Sequence, residues 1–331
     1  MLLADALRGI AWEGDAQTPY PRADPSDAGR LPGDTWATAQ LPVGVRLELI
    51  GDAQGLEIDY ACGTDELGYR GEGAGTTFSA WRGGAEVASV GARIDAADQG
   101  TAVLEFAPAA TAADVLTVYL PEGMRPTLFD IRPVGGSFSP APRGLRWLAY
   151  GDSITEGWVA SGPAAAWPAI AARRHGLDVV NLGYAGSARG EIASAEQIAA
   201  GRAEVISIAY GTNCWTRTPH SRGQFREGLL AFLAIVRQGH PQTPIVVASP
   251  VVRPDAELTA NRLGATLGDL RAEVEDVVTR LMEGGDSALH LVRGLPLLTA
   301  DQLPDGIHPG DAGHAVLAEA IGDVVMRVSA A

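Results

Sequence analysis

The sequence contains no lysine: all 25 basic residues are arginine, set against 40 acidic ones. That absence excludes chemistry that needs an amine, such as a P-loop lysine or a Schiff-base nucleophile. Cysteine is almost missing as well. Cys62 and Cys214 are the two present, too few for a disulfide framework or a cysteine-rich zinc site. No run of 18 apolar residues exists, so no membrane-spanning helix is expected. The opening Met1–Arg8 has no basic region followed by a long apolar stretch, so no secretory signal is visible and a cytoplasmic protein is expected. The net charge of −15 disfavours nucleic acid, whose phosphates are neutralised by Lys and Arg. The expected partner is a small molecule, with neither nucleic acid nor membrane, and the oligomeric state is left open.

What is present is a chain of 331 residues, 46% hydrophobic, enough for two cores. Residues 41 to about 135 show apolar side chains at every second position: Val45, Leu47, Leu49; Leu56, Ile58, Tyr60; Ala102, Leu104, Phe106; Leu116, Val118, Leu120. Period two marks half-buried strands, and several short strands in series predict an all-β sandwich or jelly roll. Arg82-Gly83-Gly84 reads as punctuation between strands, and residues 14–35, rich in Pro, Asp and Gly, as an irregular lead-in. The glycine run Gly71–Thr76 fails the dinucleotide fingerprint at its last position and reads as a loop.

After a short Gly/Pro linker, residues 135–142, the character changes. Near-continuous apolar segments at 145–150, 179–182, 205–209, 245–248 and 289–292 alternate with helical patterns such as Leu263, Leu267, Leu270, Val274, Val277, Val278, Leu281 and Leu317, Ile321, Val324, Val325, Val328. This predicts a parallel sheet covered by helices on both faces, a three-layer α/β/α domain over 141–331 preceded by the sandwich over 1–140. In such sheets the site lies beyond the carboxyl ends of the strands.

Each relevant strand exit carries a polar cluster. Gly151-Asp152-Ser153-Ile154 follows the first strand, Gly183-Tyr184-Ala185-Gly186 the second, Gly211-Thr212-Asn213 the third, and Asp305-Gly306-Ile307-His308 comes after the last. In this order the clusters resemble the four blocks of the GDSL or SGNH hydrolase family, with Ser153, Gly186, Asn213 and His308 in the naming positions and Ile154 where the family name has leucine. The resemblance covers about residues 145–331. It implies a flavodoxin-like α/β/α domain and an oxyanion hole formed by the Ser153 N–H, the Gly186 N–H and the Asn213 side-chain amide. More loosely, the first half is similar to the amino-terminal domain of two-domain members, carbohydrate esterases and an acyltransferase among them.

The residues support the same chemistry on their own. A serine hydroxyl is a weak nucleophile and needs an adjacent base. Ser153 stands where a strand turns into a helix, whose N-terminus carries partial positive charge and unpaired N–H groups. His308 is the candidate base, and Asp305, three residues earlier, can fix its tautomer. The G-x-S-x-G elbow is absent, because Thr155 follows Ile154. Asp152, Tyr184 and Trp215, adjoining the blocks, are candidate substrate contacts, with Asp152 more readily a residue that accepts backbone hydrogen bonds and orients the serine turn. Cys214 reads as packing, and His175, His220, His240, His290 and His314 as structural or exposed. No His-x-x-x-His pattern or suitably spaced carboxylate suggests a metal, and no cofactor is expected. Three functions remain open: a serine esterase, with an acetylated sugar or small metabolite as one candidate substrate; an acyltransferase passing an acyl group from a thioester to a natural-product hydroxyl; and a carbohydrate-binding protein with an inactive hydrolase half. The four intact blocks disfavour the third.

Overall fold

A computed structural model describes residues 2–64, 75–93, 99–111 and 113–329. The alternating segments of the first half form strands, and nine are described there: β1 (Leu7–Arg8), β2 (Arg46–Gly51), β3 (Gly55–Cys62), β4 (Thr77–Arg82), β5 (Ala85–Gly91), β6 (Gln99–Glu105), β7 (Leu116–Tyr119), β8 (Pro126–Val134) and β9 (Phe138–Pro140). They make two antiparallel sheets, one ordered β1-β2-β7-β4-β5 with β9 also on β2, the other β6-β3-β8. Leu47, Leu49, Phe78 and Val118 from one sheet meet Leu56, Ile58, Leu104 and Ile131 from the other in a single core, which is the packing of a sandwich. The punctuating Arg82-Gly83-Gly84 proves to be the turn of the β4–β5 hairpin, with Gly83 at φ 56°. Of the glycine run, residues 71–74 lie outside the described residues.

In the second half, β10 (Arg146–Gly151), β11 (Asp178–Gly183), β12 (Val205–Ala209), β13 (Ile245–Ala248) and β14 (Leu289–Val292) form a five-stranded sheet ordered β11-β10-β12-β13-β14. Every pairing in it is parallel, and the order is that of a flavodoxin-like fold. Alternate strand residues feed two cores. Leu148, Tyr150, Ile206 and Val247 face one layer of helices, and Trp147, Ala149, Val205 and Val246 face the other. Counting the short α1 (Leu2–Ala6) and α2 (Gly33–Ala39) as the first helices and α3 (Ser153–Glu156) as the next, the outer faces are covered by α4 (Trp167–His175) and, on the opposite side, α5 (Ile192–Ala200). Beyond the one-turn α6 (Thr212–Trp215), α7 (Arg222–Gly239) and α8 (Leu267–Glu283) join α5, and α9 (Asp311–Ser329) joins α4. α8 begins after Leu263, the first residue of its apolar pattern, because Thr266 caps the helix with Asp269 in a reciprocal box.

The lead-in segment packs on the α/β half. Ala23, Leu31 and Ala39 are buried in the core of the α/β half, beside Leu148 and Val180, and Trp12 and Trp36 pack on the same cluster. Arg22, fully buried, holds the segment in place. It donates to the carbonyls of Leu41 (2.8 Å) and Thr38 (2.7 Å) on its own side and to those of Asn181 (3.4 Å) and Gly183 on β11. On β2, the equally buried Arg46 donates to the Val179 carbonyl at 3.0 Å and lies 3.5 Å from Asp178. The two halves therefore share buried guanidinium contacts.

Candidate active site

The strand exits named from the sequence converge where the sheet order reverses, between β11 and β12 on either side of β10. At the end of β10, Gly151 pairs with Gly183 and Ala209. A Cβ on Gly151 would collide with the Ala209 carbonyl and the Thr155 hydroxyl, and one on Gly183 with the backbone of Glu156. Only glycine at both positions lets α3 press against the strand ends. Asp152 then caps α3, its Oδ1 accepting the Ile154 N–H at 3.1 Å. Burial pushes the Asp152 carboxyl up to about 6, against the hydrogen bond from Ile154 and the proximity of His308.

Ser153 is the first residue of α3. Its Oγ lies 2.8 Å from Nε2 of His308, and Nδ1 of His308 lies 2.6 Å from Oδ2 of Asp305. With Nδ1–H donating to the carboxylate, Nε2 carries the lone pair and accepts the serine hydroxyl. Asp305 Oδ1 accepts the N–H groups of Ile307 (2.9 Å) and His308 (2.7 Å), which ties the carboxylate to the turn carrying its partner. Burial works to raise the Asp305 carboxyl, but the hydrogen bonds from His308 and the backbone outweigh it and hold it below its ordinary value.

Gly186 adopts φ 71°, a left-handed conformation that suits glycine. Neither its N–H nor that of Ser153 has a partner among the described residues, so both donors are free. Asn213, on α6, spends one amide hydrogen on the Ala188 carbonyl at 3.2 Å, which orients the group and leaves the other hydrogen available. The Gly186 loop is braced from behind: Glu156 Oε2 accepts the Ala185 N–H at 2.6 Å and lies 3.5 Å from Nη2 of Arg22. Ser153, Gly186, Asn213 and His308 all line one open cleft of about 280 Å3.

Three more lining residues carry no signal in the sequence. The Trp158 ring sits 5.8 Å from the His308 ring at 35°. Arg217 and Arg253 form part of the rim. Tyr184 and Asp152, the expected substrate contacts, do not line this cleft. Tyr184 is buried with its hydroxyl donating to the Arg22 carbonyl at 2.6 Å, and Asp152 lies behind Ser153 as a cap. Trp215 does not line the cleft either; its Nε1 donates to the Thr259 carbonyl at 2.8 Å and its ring carries the Arg253 guanidinium at 4.8 Å. Cys214 is fully buried, and burial pushes its thiol well above the ordinary value, as packing requires. Cys62 and Cys214, one in each half, are buried and not joined in a disulfide. Among the described residues no group of three or more His, Cys, Asp or Glu is arranged to hold a metal ion, and no helix is long and apolar enough to cross a membrane.

A flavodoxin-like sheet with a Ser–His–Asp relay and free donors at its switch point is the arrangement of an acyl-group hydrolase. The model of the GDSL-like lipase/acylhydrolase family matches residues 146–326, more than half of the chain, and the chain belongs to that family. Among solved structures it is similar to the salicylyl-acyltransferase SsfX3 from a tetracycline biosynthetic pathway, with 27% identity, 95% of this chain and 92% of that one covered, and a TM-score of 0.79. A GDSL-like lipase from Bacteroides ovatus shares the fold at 20% identity, 97% and 95% coverage and a TM-score of 0.78. A family two carbohydrate esterase from Clostridium thermocellum does so at 16% identity, 86% and 91% coverage and a TM-score of 0.60. No curated protein matches the sequence.

Proposed function

We propose that the protein is a serine esterase that hydrolyses a small carboxylic ester through an acyl-enzyme on Ser153. The observation that carries this reading is the unbroken relay of 2.8 and 2.6 Å from Ser153 through His308 to Asp305, opening on the cleft. Ser153 Oγ attacks the ester carbonyl carbon while its proton passes to Nε2 of His308, and Asp305 stabilises the imidazolium. The oxyanion is met by the N–H groups of Ser153 and Gly186 and by the Asn213 amide. His308 returns the proton to the departing alcohol. Water then attacks the acyl-enzyme, giving up a proton to His308, and the carboxylic acid leaves as Ser153 regains its hydrogen. A fluorophosphonate probe should label the wild type once and leave Ser153→Ala unlabelled, with turnover of an aryl acetate down at least about a thousandfold. Labelling at another serine in an active Ser153→Ala variant would refute the reading.

A second reading, transfer of the acyl group to a hydroxyl acceptor, is favoured by the likeness to a salicylyl-acyltransferase over 95% of the chain. Both readings share the acyl-enzyme. They separate in its fate: transfer requires ester product to grow with acceptor concentration at the expense of free acid.

A further inference from the structure

The chain carries 40 acidic residues and a net charge of −15, yet the residues lining the cleft include no aspartate or glutamate and two arginines. Asp152 and Asp305 stand behind Ser153 and His308, engaged in hydrogen bonds there. The two arginines differ in their commitments. Arg253 is buried, paired with Asp255 at 2.9 Å and stacked on Trp215, so its place is structural and its charge is shared. Arg217 is exposed and has no hydrogen bond, ion pair or ring contact among the described residues. Its guanidinium nevertheless reaches the oxyanion loop: a methyl group on Gly186 would lie 3.6 Å from both Nε and Nη2 of Arg217.

A guanidinium with no hydrogen bond, ion pair or ring contact among the described residues, placed beside a free backbone donor at the reacting carbonyl, is suited to bind an anion. We propose that Arg217 selects esters carrying a carboxylate or phosphate close to the reacting carbonyl, with Arg253 adding positive field from the rim. The anion belongs either to the acyl group or to the alcohol, and both place it within reach of the same planar fork. Carbohydrate esters without charge would then be poor substrates. This inference rests on the acyl-enzyme reading above and names its substrate class.

The test compares matched esters on the full-length protein. In the acyl arm, para-nitrophenyl hemisuccinate is set against para-nitrophenyl butyrate. In the alcohol arm, phenyl acetate is set against its para-carboxylate derivative. In one arm the anionic ester should show kcat/KM about tenfold above the neutral one at low salt, and the preference should shrink as salt screens the exposed pair. Arg217→Ala should reduce that ratio at least about fivefold, chiefly through KM, and Arg217→Lys should restore part of it, because a point charge replaces the fork. Since Arg217 makes no hydrogen bond, ion pair or ring contact among the described residues, both variants should unfold close to the wild-type temperature. Equal rates on charged and neutral esters in both arms, or a preference that survives Arg217→Ala, would overturn the inference while leaving the esterase reading intact. No turnover of any ester together with no fluorophosphonate labelling would bring down both.

Discussion

The sandwich buries its side chains in one cluster between two antiparallel sheets, whereas the α/β half distributes its own into two clusters on either side of a parallel sheet. The difference decides where chemistry can gather. Antiparallel neighbours send successive exits to opposite edges. Parallel strands send every exit to one edge, so loops distant in sequence meet there. Ser153, Gly186, Asn213 and His308 converge on one cleft for this reason. The first half contributes none of them. Through Arg22 its lead-in supports the site from behind, contacting β11 and Glu156 and so the loop that carries Gly186.

The sharpest way to break this division is to disable the relay without touching the fold. Asp305→Asn should lower kcat on a neutral aryl acetate by about a thousandfold or more, since the wrong tautomer leaves Nε2 protonated. Circular dichroism and the unfolding temperature should stay close to wild type, because Asp305 is partly exposed on a surface turn. A variant of full activity would mean that the convergence is only architectural.

A smaller effect is expected from the supporting half. Arg22→Met removes the guanidinium opposite buried Glu156 and four backbone contacts, and should cost about 3 kcal/mol of stability. It should also lower kcat about tenfold as the Ala185–Gly186 loop loses its brace. Thermal unfolding and steady-state kinetics on the same preparation separate the two. Lost stability with full kcat would confine the lead-in to packing.

The smallest effect concerns Asp152. Burial raises its carboxyl from 3.8 to about 6, so its contribution to stability is complete below about pH 4 and is lost as the pH rises through 6. Asp152→Asn keeps a capping acceptor and removes the titration. The wild-type Tm minus that of the variant should therefore become more negative by about 2 °C between pH 4 and 7. A difference that stays flat would mean that the carboxylate is solvated or paired.

The periodicities were sufficient for the parts of the fold that repeat. All five parallel strands lie where the apolar segments are, and the long helices α8 and α9 follow their apolar stripes. Strands β4 and β5 escaped because Ser79, Ala80, Ala85, Ala88 and Ser89 blur the alternation, and β5 is an edge strand with mostly half-covered or exposed side chains. β1 and β9 have two and three residues, too short for any period. The lead-in was invisible for another reason. Ala23, Leu31 and Ala39 are spaced without rhythm among Pro, Asp and Gly, and their partners are more than a hundred residues away. At the site, block positions could be read but side-chain directions could not. Tyr184 stands two residues from Gly186 yet turns into the core, while Arg217 and Arg253 reach the cleft from loops with no pattern of their own.

The facing glycines Gly151 and Gly183 leave α3 no side-chain spacer between itself and the sheet. Ser153 is thereby seated directly against the ends of the parallel strands, with the Asp152 side chain capping its helix. Arg217, by contrast, is exposed on a turn and makes no hydrogen bond, ion pair or ring contact among the described residues. In the role proposed for it, substitutions there change which ester is accepted while the reacting atoms stay in register. In descendants of such a chain, substrate preference is free to drift faster than the reaction itself.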